Sequence, residues 1–277
     1  MEEKARLMIE SFNLMGYDAV GIGDDDLTLG KEFLLEVSKK ANFPSLSSNL
    51  FDEASGKNLF QLSLIKEVHG LRIGIFSLFS PEIFTNSSDP RKKGLNIRPP
   101  IEVAQTMVKE LKPKTDLIIL LSHLGYAKDI ELAQSVQGIN IIVGGHTGIN
   151  LIYPLVIKNT IILQTASRGM FGAKLDLSFH SNEPVFYNSA TKVSLENNLK
   201  NLNQRLNAQE TPEAEKAQWE KAREEIERTL NQIQTKNQFT NQIIPLQEQM
   251  KEDPDIKKLI EAYKAKTQPT ANPVSPK

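Results

Sequence analysis

Glycine is confined to the front of this 277-residue chain: all 15 lie between Gly16 and Gly172, and none follows. Glycine allows the tight turns and close backbone approaches that strand-rich folds need. The chain therefore divides into a Gly-punctuated part with apolar runs of strand length and a Gly-free part rich in Asn, Gln, Lys and Glu, whose apolar residues recur at helical spacing. At about 150 residues per domain the length suggests two domains. The expected boundaries are a sheet-containing domain over residues 1–193, a helical extension over 194–268, and a tail over 269–277. Pro269, Pro273 and Pro276 make that tail read as disordered.

Charge and cysteine content narrow the function classes. Lys and Arg number 33 against 34 Asp and Glu, a formal charge of −1. That balance excludes a nucleic-acid binder held by bulk positive charge and gives no attraction to an anionic membrane surface. Cysteine is absent, so a disulfide framework, a thiolate zinc site and a cysteine nucleophile are all excluded. A metal must be held by His or by oxygen ligands. No apolar run approaches the ~20 residues of a membrane span. The opening MEEKARLMIESFN shows no basic region followed by an apolar one, so no signal peptide is visible.

Residues 2–15 read as a helix closed by Gly16. Tyr17–Gly23 is a short apolar strand running into Asp24-Asp25-Asp26, and 29–41 forms a second helix. Ser45–Leu50 is strand-like. Gln61–Val68 and Leu71–Phe79 flank His69-Gly70 as a hairpin, and Pro100–Leu111 is a helix. Two continuous apolar runs then end in polar clusters. Asp116–Leu121 leads into Ser122-His123-Leu124-Gly125, and Ile139–Val143 leads into Gly144-Gly145-His146-Thr147-Gly148, with a helix over 128–136 between them. Strands apolar on both faces belong to buried sheets, and ligands of such sheets bind beyond the strand C-termini. The Asp triplet, His123 and His146 all stand at such ends. Thr160–Gln164, Ala173–Phe179 and Pro184–Tyr187 read as later strands, antiparallel and hairpin-linked.

His69 in its turn and His180 before Ser181-Asn182 read as structural. His123 and His146 have a different setting: two glycines before His146 let the backbone pass close to a neighbour, and two such histidines with a strand-end carboxylate suit a divalent cation. Asp26 is equally well an N-cap for the following helix, but three adjacent carboxylates at a buried strand end point to a cation nearby.

These motifs resemble, over about residues 5–180, the 5′-nucleotidase branch of the calcineurin-like metallophosphoesterases. Met15–Gly23 resembles the strand before that family's Gly-Asn-His-Glu motif, and Asn42–Leu50 its following strand. Ser122-His123-Leu124-Gly125 and Gly144-Gly145-His146 resemble its later metal motifs, and Gln164–Leu177 the close of the catalytic domain. The resemblance implies an α/β fold, a two-sheet αββα sandwich with its first strand missing, followed here by an all-α helical-hairpin extension. It implies a two-metal site of divalent ions (Mn, Zn or similar) at the strand ends, which stabilises both the attacking and leaving oxygens of an in-line phosphoryl displacement and generates the hydroxide nucleophile. By position Asp24, His123 and His146 are metal ligands. Asp25 takes the place of the catalytic His as a substitute acid or an extra ligand, and Gly148 stands where a further ligand would be. The family's Asp-x-His and Gly-Asp motifs would precede residue 1, so one metal site is expected, with two only if upstream residues exist.

In the Gly-free part, Leu195, Leu199, Leu202 and Leu206 step by 4, 3 and 4, a coiled-coil-like seam. Thr211-Pro212-Glu213 starts a second helix, with Trp219 on its core face, and Asp253-Pro254-Asp255 a third. Two function classes follow. One is a phosphoester hydrolase of 5′-nucleotidase type, acting on a phosphorylated small molecule such as a nucleotide. The other is a non-catalytic relative that keeps the fold as a scaffold while the helical tail binds a protein partner or a second copy. A minor third is a small-molecule binding module with one structural metal. The resemblance implies a periplasmic or cell-envelope location, on which the chain's own residues are silent.

Overall fold

Gly16 ends the first helix by taking the left-handed conformation (φ 71°), so α1 spans Glu2–Met15. After it come β1 (Val20–Gly21), α2 (Lys31–Ser38), β2 (Ser45–Leu46) and β3 (Leu50–Asp52). The computed structural model describes residues 1–86, 88–207 and 213–267. The helix cap expected at Thr211-Pro212 and the tail over 269–277 lie outside these residues.

β1 and β2 pair in parallel through Val20↔Ser45 and Gly21↔Leu46 only, shorter than the apolar runs suggested. The chain leaves the ladder because Asn49, fully buried, takes over main-chain pairing. Its Oδ1 accepts from Phe79 N (2.8 Å), and its Nδ2 donates to Phe79 O (2.8 Å) and Arg98 O (3.0 Å). Asn49→Ala strands those three groups and is expected to cost on the order of 3 kcal/mol, read as a lower urea midpoint at unchanged slope.

β4 (Ser63–Val68) and β5 (Leu71–Phe79) form the expected hairpin. His69 (φ 51°) and Gly70 (φ 82°) both lie in the left-handed region, as a two-residue turn matched to strand twist requires. β6 (Leu95–Ile97) pairs antiparallel with β3. α3 (Pro100–Leu111), β7 (Leu117–His123), α4 (Tyr126–Ser135), β8 (Ile141–Gly144), β9 (Leu155–Ile157) and β10 (Thr160–Leu163) follow. The main sheet has the order β4-β5-β7-β8-β10-β9. Within it β5, β7, β8 and β10 are parallel. Phe76, Leu120, Ile142 and Ile162 of this sheet bury against Ala104, Met107 and Leu111 of α3 and Leu132 of α4. A second cluster around Ile22, Leu27, Leu34, Leu50 and Phe79 packs β1, α2 and β3. The mixed α/β architecture is the one the motifs implied.

The second unit holds β11 (Phe171–Ser178), β12 (Phe186–Asn188), α5 (Ser189–Leu206), α6 (Glu213–Gln234) and β13 (Asn237–Pro245), with Ile152–Pro154. Residues Met1–Leu151, Leu155–Met170 and 246–267 form the first unit, where α7 (Pro254–Thr267) packs on α1. Asp253 caps α7, its Oδ1 accepting from Asp255 N (3.0 Å) and Ile256 N (3.1 Å).

The strands β10, β11 and β12 are not hairpin-linked to one another. β10 pairs in parallel with β8 and antiparallel with β9, while β11 pairs antiparallel with β13 and β12 pairs in parallel with β13. β13 was not anticipated. Its sequence NQFTNQIIP is mostly polar, and Phe239 alone is deeply buried there (1% exposed) among its apolar residues. The fully buried Asn237 pins the return of β11: its Oδ1 accepts from His180 N (2.7 Å) and Ser181 N (2.8 Å). His180 is thus a turn residue. In the α5–α6 pair, Arg205 lies 5.7 Å over the half-buried Trp219 ring.

Candidate metal centre

β7 and β8 run parallel with Ser122 opposite Gly144, so the residues that follow both strands emerge at one sheet edge. β7 ends in His123, and His146 follows β8 after Gly145. Asp24 reaches the same point from the end of β1. Gly23 makes that approach possible, because a Cβ there would stand 2.9 Å from Cε1 of the His123 ring.

Three of the residues picked from sequence converge. Asp24 Oδ1 lies 2.9 Å from His123 Nε2 and 3.8 Å from His146 Nδ1. The two imidazoles meet edge to face at 5.1 Å, and His123 stacks on Phe79 at 5.9 Å. One ligand atom from each of Asp24, His123 and His146 lies within 4.8 Å of the others. A carboxylate and two imidazoles form a donor set suited to a borderline divalent cation, so the residues present fit one metal ion. Side-chain exposure rises from 17% at Asp24 through 23% at His123 to 37% at His146, so the site opens to solvent on the His146 side. His146 adopts φ 70°, a strained backbone for a non-glycine residue that its surroundings must enforce.

Arg91 completes the site's charge and was not singled out from sequence. Its Nη1 lies 2.9 Å from Asp24 Oδ2, its Nε and Nη2 bond both oxygens of Asp89 (3.1 and 2.8 Å), and its guanidinium stands 5.4 Å over Phe84. In the run Arg91-Lys92-Lys93 it looks like one solvated cation among three. The Asp89-Pro90 turn before it was the available signal, since Asp89 Oδ1 also accepts from Arg91 N (2.9 Å). Burial pushes the Asp24 carboxyl upward, but the His123 hydrogen bond and the Arg91 charge outweigh it and hold Asp24 below the usual carboxylate range.

Asp25 is not brought into this cluster: its side chain is fully exposed, with Oδ1 3.8 Å from Arg91 Nη1. Asp26 Oδ2 accepts from Gly23 N (2.8 Å), which makes it a turn-closing residue. Gly148, at φ 64°, faces Ser167 and offers no side chain.

No family model matches the chain. The calcineurin-like phosphoesterase YfkN of Bacillus subtilis shares the fold, with a TM-score of 0.64 at 17% identity over 94% of this chain and 73% of that one. The 5′-nucleotidase precursor of Thermus thermophilus is 28% identical with a TM-score of 0.58, over 66% of this chain and 39% of its own. A 5′-nucleotidase of Vibrio cholerae is 29% identical over 200 residues, covering 61% of this chain and 36% of that protein. The chain is similar to proteins of the 5′-nucleotidase branch of the calcineurin-like metallophosphoesterases. It spans about a third of the length of the Vibrio 5′-nucleotidase. Among the described residues, no helix is long and apolar enough to cross a membrane.

Proposed function

We propose that the chain carries the metal-binding part of a phosphoester hydrolase of 5′-nucleotidase type, with Asp24, His123 and His146 as ligands of one divalent cation. The observation that supports this most is the convergence of those three side chains at one sheet edge. A cation held there, Mn or Zn by ligand chemistry, would supply Lewis-acid stabilisation of charge on a phosphoryl oxygen. Asp24, kept ionised by His123 and Arg91, provides the anionic ligand. Phe79 and Gly23 fix the plane of the His123 ring. A nucleotide as substrate follows from the relatives named 5′-nucleotidase and belongs to the same proposal, as does the periplasmic or cell-envelope location that the family resemblance implies.

Titration of the metal-free protein with Mn²⁺ and Zn²⁺, followed by hydrolysis of an aryl phosphate and of a nucleoside monophosphate, tests it. Stoichiometric binding with metal-dependent release of phosphate is expected. The absence of both binding and release would remove the proposal.

The non-catalytic alternative has two observations in its favour: Arg91 already pairs with Asp24 Oδ2, and Gly148 provides no further ligand. Binding without turnover would support it. Asp25 as the acid rests on sequence position. Since its carboxylate is fully solvated, Asp25→Asn is expected to change kcat by less than about tenfold, where a general acid contributes roughly 10²–10⁴-fold.

A further inference from the structure

Asp129, in the first turns of α4, is a fully buried carboxyl lying directly beneath the metal-site loop. One of its oxygens is accounted for. Oδ1 accepts from Ser122 Oγ (2.5 Å), and Ser122 Oγ in turn accepts from Leu124 N (3.2 Å). The other oxygen has no donor. Oδ2 is buried without a hydrogen-bond partner, and so is Oε1 of the buried Gln164. Both oxygens face the same small space over Gly144: a Cβ there would lie 2.6 Å from Asp129 Oδ2 and 3.3 Å from Gln164 Oε1.

The Gln164 amide nitrogen is already committed. Nε2 donates to Thr147 Oγ1 (2.9 Å) and to Gly145 O at 3.4 Å. Two buried acceptors therefore converge with no hydrogen between them, and neither a lysine nor an arginine reaches Asp129 among the described residues. A buried anion without a cation is costly, and so is a buried oxygen without a donor. One proton relieves both.

We propose that Asp129 is a neutral carboxylic acid whose Oδ2–H donates to Gln164 Oε1, making Asp129 a positioning residue for the His146 loop. The bond orients the Gln164 amide so that its nitrogen holds Gly145 and Thr147, the two neighbours of His146, on either side of the strained φ of 70°. The same carboxyl holds Ser122, the neighbour of His123. Burial pushes Asp129 up to about 7, against the opposing Ser122 bond, in keeping with a retained proton. The protonation stands independently of the metal; its consequence for the site rests on the proposed metal centre.

Infrared difference spectroscopy of the metal-free full chain at about pH 6, where an ordinary aspartate is ionised, reads the proton directly. A protonated-carboxyl stretch that disappears in Asp129→Asn is expected. Its absence from the wild type would overturn the proposal and place an ionised Asp129 against a turned Gln164 amide. Mn²⁺ titration reads the positioning. Asp129→Ala is expected to weaken binding by about 10–100-fold, as loss of a supporting partner does, and Asp129→Asn, which still offers a donor to Gln164 and an acceptor to Ser122, to restore most of it. Equal losses in both variants would overturn the donor role. If wild type itself binds no Mn²⁺, the positioning role and the metal-centre proposal fall together, while the infrared band still decides the proton.

Discussion

On the proposed metal centre, replacing His123 with alanine is expected to lower metal-dependent phosphoester hydrolysis by at least about 10³-fold and to remove stoichiometric Mn²⁺ binding. His123 Nε2 is the ring nitrogen nearest to Asp24 Oδ1, at 2.9 Å, and without it one imidazole and one carboxylate remain. A catalytic metal supplies several kcal/mol of transition-state stabilisation, and each 1.4 kcal/mol is a factor of about ten. The change leaves the fold intact, since the ring lies at the sheet edge, stacked on Phe79 and outside both apolar clusters. Circular dichroism and thermal melting check that. His69→Ala, in the β4–β5 turn, is the matched control and is expected to leave binding and turnover unchanged. Equal behaviour of the two variants in calorimetric Mn²⁺ titration and phosphate release would dismiss the site.

The second large effect is a loss of stability with rising pH that traces to Asp129. Burial raises its folded-state pKa from 3.8 to about 7, so between these values the unfolded chain ionises while the folded protein still holds its proton. The contribution is fully present below about pH 4 and is lost as pH rises through about 7. A shift of about three units corresponds to roughly 4 kcal/mol. Urea unfolding of wild type and Asp129→Asn across this range measures it. The wild type is expected to lose stability relative to the variant as pH rises, with no further divergence above about pH 8. A constant difference between the two would remove Asp129 as the cause.

The parts of the fold that were legible from sequence are those where one local rule decides. Gly16 closing α1, His69-Gly70 making the turn, and Asp253 capping α7 each depend on a backbone preference written in one or two residues. The continuous apolar runs of β7 and β8 announced a parallel buried sheet because both faces had to be covered. β13 failed that test. Its polar stretch around Phe239 becomes a strand through pairing with both β11 and β12. The expected hairpins after residue 160 failed for the same reason, since adjacency in sequence does not choose a strand's partner when a distant strand completes the ladder.

The site divides in the same way. Residue type and strand-end position were enough to name Asp24, His123 and His146. Asp25 shared its neighbours' chemistry but points into solvent, because the short 3₁₀ turn over Asp25–Leu27 sends successive side chains in different directions. Arg91 and Asp129 lie in no motif, and Gln164 only opens the Gln164–Leu177 stretch without being marked out within it. Arg91 matters because folding sets its guanidinium against Asp24, and Asp129 and Gln164 matter because folding leaves Asp129 Oδ2 and Gln164 Oε1 buried over Gly144 without a hydrogen-bond partner. Sequence alone determined the type of every element except those, such as β13, that pairing creates, and the chemistry available at the strand ends, since propensity, capping and ligand type are local properties. Tertiary structure alone decided which strands pair, which carboxylates are solvated, and which are paired or buried, because each depends on desolvation and on neighbours far away along the chain.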